Sequence, residues 1–203
     1  MGRRIVPLTA DTVGDLPTPC RDCPFWETSP AQHDGRASAA DGHRVKRTWL
    51  EATTAAWGPC GLLAYVDDVP AGFVTYAPPA FVPRASAFPT APVSSDAVLL
   101  MTARVADGQT GAGLGRALVQ AAAKDLGKRG VRAIEAYGAV GELCLLSAEF
   151  LESVGFVTVR DHARHPRLRL DLRTAVTWRE PVEEALGRFR RAVRPFPAGA
   201  NRT

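Results

Sequence analysis

Apolar positions run without a break from Ala97 to Met101 in the stretch AVLLMTARV, and only then does a polar residue, Thr102, appear. A run this short and continuous predicts a strand covered on both faces. The spacing then changes. Leu114, Leu118, Ala121, Ala122 and Asp125 trace helical turns to about Leu126, and GKRG supplies the stop. Downstream, VRAIEAYG, FVTVRDH and RLRLDLR read as strands, and LCLLSAEFLESVGF holds a helix that begins near Leu143 or is capped at Ser147. Upstream, Ile5 to Leu8 is a short strand, and Asp11 is placed to cap a brief helix. VKRTWLEATTAAWG reads as a helix with Val45, Trp49, Ala52 and Ala56 at helical spacing and Gly58-Pro59 as its end. GLLAYVDDVPAGFVTYAPP reads as a hairpin turning at Asp67-Asp68-Val69-Pro70.

Three stretches are less regular. Residues 31–44 are polar and Ala/Gly-rich, and are expected to be mobile. Residues 78–96 hold five prolines and predict an extended, ordered connection that could wall a cleft. VTWREPVEEALGRFRRAV predicts a last amphipathic helix anchored by Trp178. Strand–helix alternation through the middle of the chain favours an α/β layer, and the early hairpin makes its sheet mixed. The 203 residues suit one domain. Within it, residues 1–59 form an N-terminal part with a Cys-x-x-Cys segment, 60–173 a core, and 174–203 a C-terminal helix and tail.

The chemistry concentrates where the buried strand meets the following helix. Thr110-Gly111-Ala112-Gly113-Leu114-Gly115 places three glycines just before an Ala-rich helix, which costs backbone entropy. Arg116 and Ala117 occupy the places where a Walker loop needs Lys and Ser or Thr, and Arg116 also breaks a G-x-G-x-x-G dinucleotide fingerprint. Two readings stay open from the residues: a turn that needs glycine, or a loop whose amides bind a pyrophosphate at a helix N-terminus, with Arg116 as an added donor.

This loop resembles the R/Q-x-x-G-x-G/A motif of the GNAT superfamily of N-acetyltransferases. Gly113 and Gly115 match its glycines, Thr110 stands where Arg or Gln is usual, and Gln109 lies one place early. A second signature of that family, N-x-x-A-x-x-L-Y-x-x-x-G-F, matches at Gly155-Phe156 and has Phe150 at its Leu position. It departs at Cys144, Ser147 and Leu151, which take the places of Asn, Ala and Tyr. The resemblance covers roughly residues 60–173, and the wider string is similar to an actinobacterial branch of the superfamily. It implies a mostly antiparallel central sheet with splayed central strands flanked by helices, and acetyl-CoA as co-substrate. By the same resemblance Ala103 and Val105 would bond the pantetheine, and Thr110, Gly111, Ala112, Gly113, Leu114, Gly115 and Arg116 would hold the pyrophosphate.

The implied activity is acetyl transfer to an amine. The tyrosine that usually protonates the leaving thiolate is replaced by Leu151, so a non-catalytic acyl-CoA-binding regulatory module is the alternative. Glu135, in an otherwise apolar strand beside the expected cofactor, is the candidate base, since burial would raise its pKa. Tyr137 is a candidate substitute acid, and Thr102 and Ser147 could orient a water.

Charge and cysteine usage adjust this picture only a little. The net charge is +4, and residues 157–203 hold 11 Arg against 5 Asp and Glu. An arginine-rich solvated helix explains that better than nucleic acid, because no nucleic-acid-binding motif accompanies it. With no export signal or bilayer-length apolar run, a cytoplasmic location without membrane contact is expected, and a homodimer is compatible with the chain. For Cys20 and Cys23, a reduced pair packing beside Phe25 and Trp26 is preferred to zinc completed by Cys60, His33 or His43, or to a redox motif.

Overall fold

The computed structural model describes residues 2–32, 38–139, 141–142 and 144–173. In chain order it has β1 (Arg3–Pro7), α1 (Ala39–Trp57), β2 (Gly61–Val66), β3 (Val69–Ala77), β4 (Ala97–Val105) and α2 (Leu114–Lys128). After these come β5 (Ala133–Ala139), β6 (Leu146–Ser147), α3 (Ala148–Ser153), β7 (Val157–Arg160) and β8 (Arg167–Asp171). The sheet order is β1-β2-β3-β4-β5-β8-β7, with β6 branching off β5. Pairing is antiparallel except between β4 and β5 and between β5 and β6. The fold is therefore the mixed, mostly antiparallel α/β sheet expected. The predicted helix in 176–193 lies outside the described residues. Among the described residues no helix is long and apolar enough to cross a membrane.

The continuous apolar run of β4 has the reason expected of it. Val98 and Leu100 join the core under α2 and α3, with Leu118, Leu151 and Phe156. Leu99 and Met101 point to the opposite core, with Trp26, Val82 and Tyr137. Two buried faces leave no position for a polar side chain.

α1 begins earlier than its apolar spacing predicts. Ser38 caps it, accepting a hydrogen bond from the Asp41 amide, so residues 39–44 are helical rather than mobile. Its buried stripe is Gly42, Lys46, Leu50 and Thr53, whereas Ala52 and Ala56 are exposed. Lys46 is carried inside by an ion pair with Glu27, which an apolar pattern does not register. Gly42 marks a close crossing, since a Cβ there would lie 1.8 Å from the Asp22 carbonyl oxygen.

Three smaller expectations are corrected. Asp11 caps no helix; a 3-10 turn forms at Val13–Asp15 without a side-chain cap. The hairpin turns on Asp67 and Asp68 alone, both at positive φ, and Val69 and Pro70 belong to β3. Residues 78–96 form two 3-10 turns and cover the sheet face around Tyr137, where Phe88 stacks at 4.2 Å.

Candidate active site

The sheet forks at its centre. β4 and β5 pair only at Ala97–Ala133, Val98–Ile134 and Leu99–Glu135. Beyond Leu99, β4 stays with β3, while β5 turns to pair Gly138 and Ala139 with Leu146 and Ser147 of β6. A bulge contributes: Tyr76 opposes Leu100 and Thr75 opposes Thr102, so Met101 is the extra residue and β4 bends there. The fork opens into a cleft of about 540 Å³, walled by β4 from Thr102 to Val105, the glycine loop, the start of α2, and residues 145–154. Residues 78–96 contribute nothing to this wall.

The start of α2 faces the cleft. Gly108, Gly111 and Gly113 have φ of +83°, +79° and +75°, a region that only glycine enters freely. Gly113 is the N-cap, and among the described residues no side chain bonds the first-turn amides. Those donors and the positive end of the helix dipole point at the opening. A Cβ on Gly111 or Gly113 would meet no protein atom within 4 Å, so backbone conformation rather than packing demands glycine there. Gly115 is different: a Cβ would come 3.3 Å from the Phe150 ring. Gly111 and Gly113 thus shape the loop and Gly115 seats Phe150. Arg104 and Arg116 line the cleft, and no carboxylate does so among the described residues. A diphosphate fits this set of donors and charges.

Eight of the nine residues expected to bind the cofactor line the cleft: Ala103, Val105, Thr110, Gly111, Gly113, Leu114, Gly115 and Arg116. Ala112 does not; its carbonyl turns outward to accept from Arg3 at 3.3 Å. The Arg116 guanidinium bonds the Ser153 carbonyl, so it also ties α2 to α3. Gln109, left out of register in the motif, lines the cleft as well. Phe150, Ser153 and Val154 were missed. Once Ser147 is taken as the cap of α3, which it is through the Phe150 amide, the spacing 147, 150, 153, 154 is one helical stripe.

The catalytic candidates fare differently. Glu135 is fully buried and does not line the cleft. Its carboxylate accepts from the Ser94 amide at 3.1 Å, from Arg169 at 3.1 Å and from Arg167. Burial alone would raise its pKa, but the Ser94 hydrogen bonds and the two arginines outweigh it and hold the carboxyl below its ordinary value. The expected elevation is therefore reversed. The Tyr137 hydroxyl donates to the Ala85 carbonyl at 2.9 Å, away from the cleft. Its pKa is pushed up to about 12, mainly by burial. Thr102 gives its proton to the Cys144 carbonyl at 3.2 Å and accepts from Trp26 at 3.0 Å. Leu151 is fully buried in the core beneath α3.

Among the described residues, no group of three or more His, Cys, Asp or Glu side chains could hold a metal ion. Cys60 lies apart, beside Thr54 at 3.7 Å. Arg84 donates to the Phe25 carbonyl and lies over that ring at 4.2 Å.

A forked mixed sheet, with a glycine-lined helix start and two arginines at the fork, defines an α/β domain with a cationic central cleft. The chain belongs to the acetyltransferase (GNAT) family, whose sequence profile matches residues 24–156. No curated protein matches it in sequence. Among solved structures it is similar to the PaiA N-acetyltransferase from Thermoplasma acidophilum in complex with coenzyme A, at TM-score 0.56 and 15% identity over 84% of this chain and 99% of that one. An N-acetyltransferase from Staphylococcus aureus Mu50 gives 0.58 and 13% over 85% and 99%. An aminoglycoside acetyltransferase, AAC(6')-Ib, in complex with coenzyme A gives 0.56 and 16% over 84% and 95%. At these identities the likeness is one of fold.

Proposed function

We propose that this protein transfers an acetyl group from acetyl-CoA to an amine, with the co-substrate lying in the fork. The observation that carries the reading is the coincidence of the opened β4 edge with the uncapped start of α2. The first-turn amides and Arg116 would hold the pyrophosphate, and Ala103 and Val105 would pair with the pantetheine as with an added strand. That direction brings the acyl end toward Thr102. Acetyl-CoA supplies the activated acyl group. The chain's contribution is to orient it, to exclude water with Leu145, Leu146 and Phe150, and to present it to a neutral amine.

A non-catalytic acyl-CoA-binding module is the second reading. Leu151, buried where the family carries a tyrosine, favours it, because no hydroxyl there can protonate the departing thiolate. One experiment separates the two. Acetyl-CoA with a pooled amine library, followed by free-thiol release, gives turnover for a transferase and none for a binder. In both cases CoA raises the melting temperature, by about 2.7 kcal/mol of stabilisation at one hundred times its Kd. No shift at saturating CoA refutes both.

A further inference from the structure

Thr102 also lines a smaller pocket of about 20 Å³ together with Cys20, Cys23, Trp26, Lys46 and Cys144. In it the sulfurs of Cys23 and Cys144, 121 residues apart in sequence, lie 3.5 Å from each other. Both residues are half-buried, whereas Cys20 is buried. The two backbones are held from separate directions. The Cys144 carbonyl accepts from Trp26 Nε1 at 3.0 Å and from Thr102 Oγ1 at 3.2 Å. Cys23 follows the Cys20–Asp22 turn, which α1 presses at Gly42. The sulfurs need to close by about 1.5 Å to reach bonding distance.

The two thiols are chemically unequal. A hydrogen bond from Cys144 lowers the Cys23 pKa to about 6; burial opposes this, and the Phe25 amide and the Lys46 ammonium assist, while Glu27 opposes weakly. The Cys144 thiol is pushed up, by the same bond and then by burial. The Cys20 thiol is raised by burial, against Arg104 and Lys46. A partly accessible thiolate beside a protonated second thiol is the arrangement of a redox-responsive pair.

We propose that Cys23 and Cys144 form a reversible disulfide, with Cys23 attacking and Cys144 resolving, and that this bond governs the acyl end of the cleft. The second clause rests on the acetyl-CoA reading above. The oxidant is a peroxide. The Cys23 thiolate attacks one peroxide oxygen, the O–O bond breaks, and the departing hydroxide takes a proton to become water, leaving a sulfenic acid. The Cys144 sulfur then attacks the Cys23 sulfur; the S–S bond forms, the S–O bond breaks, and hydroxide leaves with the Cys144 proton as a second water. A small dithiol reverses both electrons by exchange. Closing the bond draws Cys144 toward Cys23. Thr102, hydrogen-bonded to its carbonyl, and Leu145 and Leu146, next in the chain, are cleft residues and move with it.

The test uses the full chain, reduced, then treated with equimolar hydrogen peroxide, digested without reductant and mapped by mass. The expected product is a Cys23–Cys144 linked peptide pair, lighter by two hydrogens and restored by dithiothreitol. C23S and C144S each abolish it, and C20S leaves it intact. A Cys20–Cys23 link, or no link in protein that melts normally, overturns the disulfide. Calorimetry then compares CoA binding to the oxidised and reduced forms. Binding weakened several-fold and recovered on reduction supports the coupling; equal affinity overturns it. If CoA binds neither form, the acetyl-CoA reading and the coupling both fall, while the mapped disulfide stands or falls on its own.

Discussion

Replacing Glu135 by glutamine removes a charge that two arginines share. In the wild type the fully buried carboxylate takes hydrogen bonds from Arg169, Arg167 and the Ser94 amide. Glutamine keeps one acceptor and turns an N–H group toward a guanidinium. Breaking a buried pair from one side costs about 3–5 kcal/mol. Arg169 keeps Asp96, at 2.9 Å through two bonds, so the lower end applies, about 3 kcal/mol. At about 2–4 °C per kcal/mol, the melting temperature falls by about 6–12 °C. The pH dependence has a defined sign. The folded-state pKa lies below the ordinary carboxylate value, so the stabilisation is present above the unfolded pKa, near 4.3, and disappears as pH falls through the folded value. The stability gap between wild type and Glu135→Gln therefore narrows on acidification. Thermal melts from neutral to acid pH, paired with thiol-release kinetics well below both midpoints, check this. A variant that melts with the wild type but loses turnover would restore Glu135 as the base and refute the structural role.

Gly113→Asp forces a side chain into a φ of +75° and sets a negative charge at the helix start, so the CoA-induced rise in melting temperature should vanish; an undiminished rise would make the loop purely structural. Leu151→Tyr overpacks a fully buried site, with a cost of about 1–3 kcal/mol and no gain in thiol release; faster release would show that the position still reaches the leaving group. Arg129→Ala removes bonds to the Pro59 and Trp57 carbonyls and a guanidinium 3.7 Å above the Trp57 ring, which should lower the urea midpoint by an amount equivalent to about 1–2 kcal/mol without changing its slope.

Much of the frame was readable because it depends on local order. The apolar run of β4, the 3.6-residue rhythm of α2 and the two-residue rhythm of Arg167–Asp171 are each set by neighbours a few positions away. The glycine loop was readable for the same reason: positive φ is a property of single residues, and Gly111 and Gly113 both adopt it. The stripe of α1 was misread because Lys46 and Thr53 face inward, and Lys46 does so through Glu27, 19 residues earlier.

The assignment of chemistry was another matter. Glu135 in an apolar strand looks like an isolated, raised carboxyl until β8 pairs with β5 and brings Arg167 and Arg169 to it from over thirty residues downstream. Cys23 reads as half of a Cys-x-x-Cys pair until folding places it against Cys144 instead. Spacing along the chain carries conformation and periodicity, which are local energies. Charge pairing, burial and thiol proximity depend on distance in space, and the crossings of the sheet assign those partners.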